Sequence, residues 1–134
     1  MTVVVDSSVV VAALVAVGDI GEWASSVLAS QALAAPHLLP VEVANVLRRA
    51  VRSGDITGDI ASLAHADLLE LNVELFTYEP FGERVWQLRD SFTAYDAWYV
   101  ALAEGLDVPV ATLDVRLTRA HGPTCEFTTP PRRS

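Results

Sequence analysis

The sequence predicts an α/β protein, a three-layer α/β/α fold around a mostly parallel sheet, and three observations carry that prediction. The run Val3-Val4-Val5 is β-branched without alternation, as in a strand buried on both faces of a parallel sheet. Short apolar runs then alternate with helically spaced segments along the whole chain, the order that parallel strands with right-handed helical crossovers produce. Finally, four carboxylates fall at strand-to-helix junctions. Asp6 and Asp114 lie just past apolar strands, and Glu42 and Asp96 begin the helices that follow. In a parallel sheet all four would project from one edge, the edge at which open α/β sheets bind ligands.

The elements follow in order. The first strand ends at Asp6-Ser7-Ser8, where the period changes and Val9, Val10, Ala12, Ala13, Leu14 and Ala16 continue as an apolar helix. Asp6 can therefore be a helix cap, a site residue, or both. Gly18-Asp19 interrupts, and Ile20–Ser30 resumes helical spacing with Trp23, Val27 and Leu28 as the apolar positions. Ala32–Ala35 reads as the second strand, stopped by Pro36, with Pro40 in the first turn of a helix spanning Val41–Arg52 and closed by Gly54. Glu42 falls in that first turn, where an acid also complements the helix dipole. Thr57–Leu71 is an amphipathic helix capped by Thr57, Val73–Tyr78 a third strand, and Pro80–Arg89 a further helix. Thr93-Ala94-Tyr95-Asp96 fits a capping box ahead of a helix expected to end at Gly105. Val108–Thr112 is the next buried strand, Leu117 lies on a short helix after Asp114, and Glu126–Thr128 is the last strand.

A chain of 134 residues fits one domain, expected over residues 1–129 with a loose tail at 130–134. Hydrophobic residues at 51% and charged residues at 19% exclude a disordered chain. The longest apolar stretch, Val9–Val17, is too short for a membrane span and lacks the basic flank of a signal peptide, so a cytoplasmic location is expected. Cys125 stands alone, which excludes an internal disulfide, and is expected to be a packed strand residue. The formal net charge is −8 and all nine basic residues are Arg; without lysine, P-loop and Schiff-base chemistry are excluded. Such acidity disfavours nonspecific nucleic-acid binding unless the carboxylates gather round a divalent ion, which reverses the local sign.

Hard divalent ions take oxygen ligands, so clustered carboxylates at this edge point to a Mg²⁺ or Mn²⁺ site for phosphoryl chemistry. His37, His65 and His121 have no zinc-ligand spacing. Arg48, Arg49 and Arg52, on the helix of Glu42, read equally as a solvated face or as contacts to a phosphate backbone.

The segments Val5-Asp6-Ser7-Ser8, Glu42-Val43-Ala44-Asn45-Val46-Leu47, Thr93-Ala94-Tyr95-Asp96-Ala97-Trp98-Tyr99 and Thr112-Leu113-Asp114-Val115-Arg116-Leu117 together resemble a PIN-domain ribonuclease of the VapC toxin type, over essentially the whole chain. The resemblance implies a five-stranded parallel sheet, Mg²⁺ or Mn²⁺ dependence, and cleavage of structured RNA such as tRNA or rRNA by two-metal phosphodiester hydrolysis. It further implies a homodimer that joins its cognate antitoxin in a heterotetramer or larger assembly. Carried over residue by residue, it makes Asp6, Glu42, Asp96 and Asp114 the catalytic and metal-binding acids. Ser8 and Thr112 become supporting hydroxyls, and Asn45 a partner orienting Glu42. Arg48, Arg49, Arg52 and Arg116 are candidate RNA contacts. Many members of the family that this chain resembles carry a further acid two positions beyond the fourth, where this chain has Arg116. A pairing surface is expected from Trp23, Leu63 and Leu68. The competing readings are a non-catalytic module of the same fold, a receiver domain, which would need a lysine, and a haloacid-dehalogenase-type phosphatase, which would need Asp-x-Asp in place of Asp6-Ser7-Ser8.

Overall fold

A computed structural model describes residues 1–131; Arg132, Arg133 and Ser134, part of the expected tail, lie outside the described residues. Five strands form one parallel sheet: β1 (Thr2–Val5), β2 (Ala32–Pro36), β3 (Val73–Phe76), β4 (Val110–Ala111) and β5 (Phe127–Thr128), in the order β3-β2-β1-β4-β5. Val3, Val4 and Val5 are fully buried, and β1 is central, as the unalternating run requires. The chain first adds strands to one side of β1 (β2, β3) and then to the other (β4, β5). The order therefore reverses between β1 and β4, and ligands of open α/β sheets bind outside the carboxyl ends at such a reversal.

Among the described residues, seven helices flank the sheet: α1 (Ser7–Val15), α2 (Asp19–Ser30), α3 (Leu39–Ser53), α4 (Gly58–Glu70), α5 (Gly82–Gln87), α6 (Ala94–Leu106) and α7 (Val115–Arg119). The first four pack on one another, with Val9, Val43, Leu47, Ala64 and Leu68 in the main core. Helix α6 lies against β1 and β2 and is joined by α5. A second apolar cluster of Val85, Leu88, Phe92, Ala97, Val100, Ala101 and Leu117 binds α5, α6 and α7.

Several boundaries differ from expectation. Helix α3 starts at Leu39, two residues early, with Pro40 still in its first turn. Strand β2 runs to Pro36, and β3 stops opposite it at Phe76 rather than at Tyr78. Pro36 has no N–H with which to prolong β2, and the following His37 N–H closes on Phe76 O at 2.9 Å. The expected helix over Pro80–Arg89 is a 3₁₀ turn at Glu79–Phe81 followed by α5, which ends at Gln87. Gly105 does not end α6. It sits inside the last turn, where any Cβ would come within 2.9 Å of the Phe81 ring. The cap is Asp107 in the left-handed region (φ 56°), a conformation that Asp tolerates. Cys125 is partly buried and precedes β5; burial pushes its thiol up to about 11.

Candidate functional site

Asp6 anchors the site. It leaves β1 in an extended conformation (φ −91°, ψ 172°) and caps α1, with Oδ1 accepting from the Val9 N–H at 3.2 Å. The cap and site readings are thus compatible. The same oxygen accepts from the Ser8 hydroxyl at 2.6 Å, and Oδ2 accepts from the Thr112 hydroxyl. Each hydroxyl is itself held from the β4 side: Leu113 N–H donates to Ser8 Oγ at 3.0 Å, and Asp114 N–H donates to Thr112 Oγ1 at 2.9 Å. Two short relays therefore run from the backbone after β4 through Ser8 and Thr112 into the carboxylate after β1. Asp6 is 7% exposed and Thr112 wholly buried. Burial raises the Asp6 carboxyl above its ordinary range, against the hydrogen bonds of Ser8, Thr112 and the backbone, which pull it down.

Glu42 is half-buried in the first turn of α3, and its Oε1 accepts from the Tyr99 hydroxyl at 2.5 Å. The expected partner Asn45 is instead exposed; the oriented contact comes from α6. Burial raises the Glu42 carboxyl, Tyr99 opposes that, and the charges of Asp96 and Asp6 raise it further. Burial and the Glu42 charge keep Tyr99 protonated, hence a permanent donor. Asp96 sits in the first turn of α6, where its N–H donates to the capping Thr93 Oγ1 at 3.2 Å. Its carboxyl is raised by burial and then by Asp114, with Thr93 and Arg116 opposing.

Asp114 behaves differently. It caps α7, accepting from the Arg116 N–H at 3.0 Å, and the Arg116 guanidinium grips it through Nε at 3.1 Å and Nη2 at 2.7 Å. That guanidinium holds the carboxyl below the ordinary range. Arg116, a candidate RNA contact, is thus already paired within the site, though its side chain is 84% exposed and the pair is open to water. Arg48, Arg49 and Arg52 are exposed and recede along α3, roughly 9–15 Å from the Glu42 level at 1.5 Å per residue.

The charges of Asp6 and Asp96 thus bear on Glu42, and that of Asp114 on Asp96, which places the four acids within electrostatic reach of one another along this edge. Among the described residues, no three carboxylate, imidazole or thiol groups converge as ready metal ligands. The donor set is oxygen-only and anionic, which fits a hard divalent cation. Like charges crowded in a half-dry edge are what such a cation relieves. A groove of about 970 Å³ lies elsewhere, lined by Val17, Ile20, Trp23, Pro130 and Pro131 with Asp19 and Glu22, a mostly apolar and acidic lining that does not suit phosphate.

Comparison with known proteins places this fold in one family. The PIN-domain model matches residues 3–123. Ribonuclease VapC1 of Mycobacterium tuberculosis is 44% identical over 125 residues, covering 92% of this chain and 94% of that protein. VapC ribonuclease Mb0985 of Mycobacterium bovis is 35% identical over 130 residues, covering 97% and 99%. The crystal structure of PAE2754 from Pyrobaculum aerophilum superposes with a TM-score of 0.72 at 22% identity, over 95% of this chain and 83% of that one, which bears out the fold. The chain belongs to the PIN-domain family, in its VapC branch.

Proposed function

We propose that the chain is the toxin of a toxin–antitoxin pair, an endoribonuclease that depends on Mg²⁺ or Mn²⁺ and hydrolyses a phosphodiester in structured RNA. The observation that carries this reading is the group of carboxylates at the β1/β4 reversal: burial raises Asp6, Glu42 and Asp96, neighbouring acids raise Glu42 and Asp96 further, and Arg116 holds Asp114 down. Its membership of a branch whose curated relatives are named ribonucleases supports it. Asp6, Glu42, Asp96 and Asp114 would hold the cation. Bound there, it supplies the polarisation of water and phosphodiester that hydrolysis needs. The chain's own residues set the stage: Ser8 and Thr112 fix the Asp6 carboxylate, Tyr99 fixes Glu42, and the wall formed by β1, α1 and α6 keeps one side of the acids dry. Arg116 is placed to exchange Asp114 for a phosphate oxygen of the substrate, since an exposed ion pair is held only weakly.

The inhibitory partner is proposed to present Arg or Lys side chains to this acidic edge, and the pair to act in the cytoplasm. Among the described residues, no single helix is long and apolar enough to cross a membrane. A homodimer remains the assembly proposed, with one correction. Leu68 is 5% exposed and belongs to the core, so pairing would use Leu63, 69% exposed, with Ile60 beside it on α4. Light scattering at micromolar concentration tests it, and a monomer mass would refute it.

The function itself is tested by incubating the protein with folded RNA in Mn²⁺, in Mg²⁺ and in EDTA, and mapping new 5′ ends. Cleavage at discrete sites, lost in EDTA and in Asp96→Asn, is expected. Cleavage surviving both would refute the metal-site reading, and no cleavage of any RNA would favour a non-catalytic module of the same fold.

A further inference from the structure

All three exposed aromatic side chains among the described residues, Tyr78 (40%), Trp86 (66%) and Tyr95 (61%), fall in the segment that leads into α6. Their placement follows from how α5 runs. At its start, Arg84 bonds Glu104 near the end of α6 (2.6 and 3.1 Å), and Phe81 lies against Gly105. Further along, Val85, Leu88 and Phe92 pack with Ala97, Val100 and Ala101 of α6. Helix α5 is therefore antiparallel to α6, and its end lies towards the α6 first turn, the turn that holds Asp96. With Val85 and Leu88 inward, Trp86 faces solvent on that flank, and Tyr95 immediately precedes Asp96.

Trp86 is also furnished with a cation. The Arg89 guanidinium lies 4.7 Å from its ring centroid, and Nη1 donates to Trp86 O at 2.9 Å. The guanidinium is thus held over a ring that is otherwise open, in a chain of net charge −8. An open indole beside a fixed cation matches a nucleotide, whose base offers a π-face and whose phosphate offers a negative charge. A base already stacked inside continuous duplex cannot use such a surface; an unpaired base in a loop or bulge can.

We propose that Trp86 with Arg89, together with Tyr95, forms a stacking platform for unpaired RNA bases on the flank of α6 that begins at Asp96. This rests on the ribonuclease reading above and adds to it the residues of this chain that hold the substrate's bases. A protein segment seated on the same rings is the competing occupant.

The test uses the full chain, a fluorescein-labelled RNA hairpin with an unpaired loop, and a blunt duplex of equal length. Binding is read by anisotropy in EDTA and cleavage of unlabelled RNA in Mn²⁺. The hairpin is expected to bind more tightly than the duplex. Trp86→Ala is expected to weaken hairpin binding about 10-fold, from the loss of one base stack. In cleavage the loss should fall on KM rather than kcat, and Trp86→Phe should retain most of the affinity. Melting curves control for folding. If the wild type cleaves RNA but binds hairpin and duplex equally, or Trp86→Ala changes neither Kd nor KM, the platform is refuted while the ribonuclease reading stands. If Trp86→Ala instead weakens only inhibition by the antitoxin, the surface belongs to a protein partner and the platform is likewise refuted. A wild type that neither binds nor cleaves either RNA overturns the ribonuclease reading itself.

Discussion

Removing one hydroxyl from the site, by Tyr99→Phe, separates the electrostatics of Glu42 from its packing. The ring remains in its buried position, 2% exposed, and only the donor to Glu42 Oε1 at 2.5 Å is lost. Hydrogen bonds to charged groups are worth about 1.5–3 kcal/mol, and Glu42 is half-buried, so water recovers part of the loss. The lower figure, about 1.5 kcal/mol, is expected at pH 7 in EDTA. With an unfolding entropy of about 2.1 cal/mol/K per residue, that is a drop in Tm of about 5 °C. The sign with pH follows from Glu42 being raised above its ordinary value. A carboxyl raised in the folded state stabilises the fold only while protonated, and that contribution is lost as pH rises from the unfolded value through the folded one. Tyr99→Phe raises Glu42 further, so its cost should be full at pH 7, shrink as pH falls through the two raised folded values, and be smallest near pH 4, where the acid is neutral in both folded proteins. Melting curves at pH 4 and pH 7 decide. An equal cost at both would mean that the hydroxyl serves packing and does not hold a charge.

Asp96→Asn removes one of the crowded charges, and because Asp96 is raised by burial and Asp114, apo stability at pH 7 should be unchanged or higher, the difference closing near pH 4. The same variant should lose most of the Tm increase given by Mn²⁺, and an equal increase in both proteins would sink Asp96 as a ligand. Arg84→Met strips Glu104, whose side chain is 10% exposed, of its bidentate partner and leaves the Thr124 N–H at 2.8 Å; urea unfolding at pH 7 should show a loss of about 2 kcal/mol. Burial opposes it, but the Arg84 bond and the Thr124 N–H hold Glu104 below its ordinary range, so that contribution is present at neutral pH and the loss should diminish as pH falls towards 3. Arg116→Ala frees Asp114 from the guanidinium while the backbone cap survives, so Mn²⁺ affinity by calorimetry should rise and RNA affinity fall; unchanged Mn²⁺ affinity would show that the pair does not compete with the ion.

The sheet was legible because period and composition report burial directly: Val3–Val5 could only be a strand covered on both faces. The acids were legible because each stands at a change of period. Contacts between distant segments were not. Thr112 and Asp6 are 106 residues apart, and nothing local announces their bond. Tyr99 was missed because Trp98-Tyr99-Val100 reads as core, although its place three residues after Asp96 puts both on one helix face. Leu68 was placed on the surface because α4 is apolar on more than one side, with Leu63 and Leu69 outward and Ala64 and Leu68 inward, so spacing alone could not choose the buried stripe.

The double duty of Asp6 bears on how an inert decoy of this protein should be made. Its carboxylate receives Val9, Ser8 and Thr112, and through the last two it ties the ends of two neighbouring strands together. Emptying that position strands two hydroxyls and a helix start at once, so silence there cannot be told from a local collapse. Glu42 and Asp96 each answer to one hydroxyl-bearing neighbour and stand nearer the rim. A trap meant to hold its target without cutting it is better built at those two, with the fulcrum left whole.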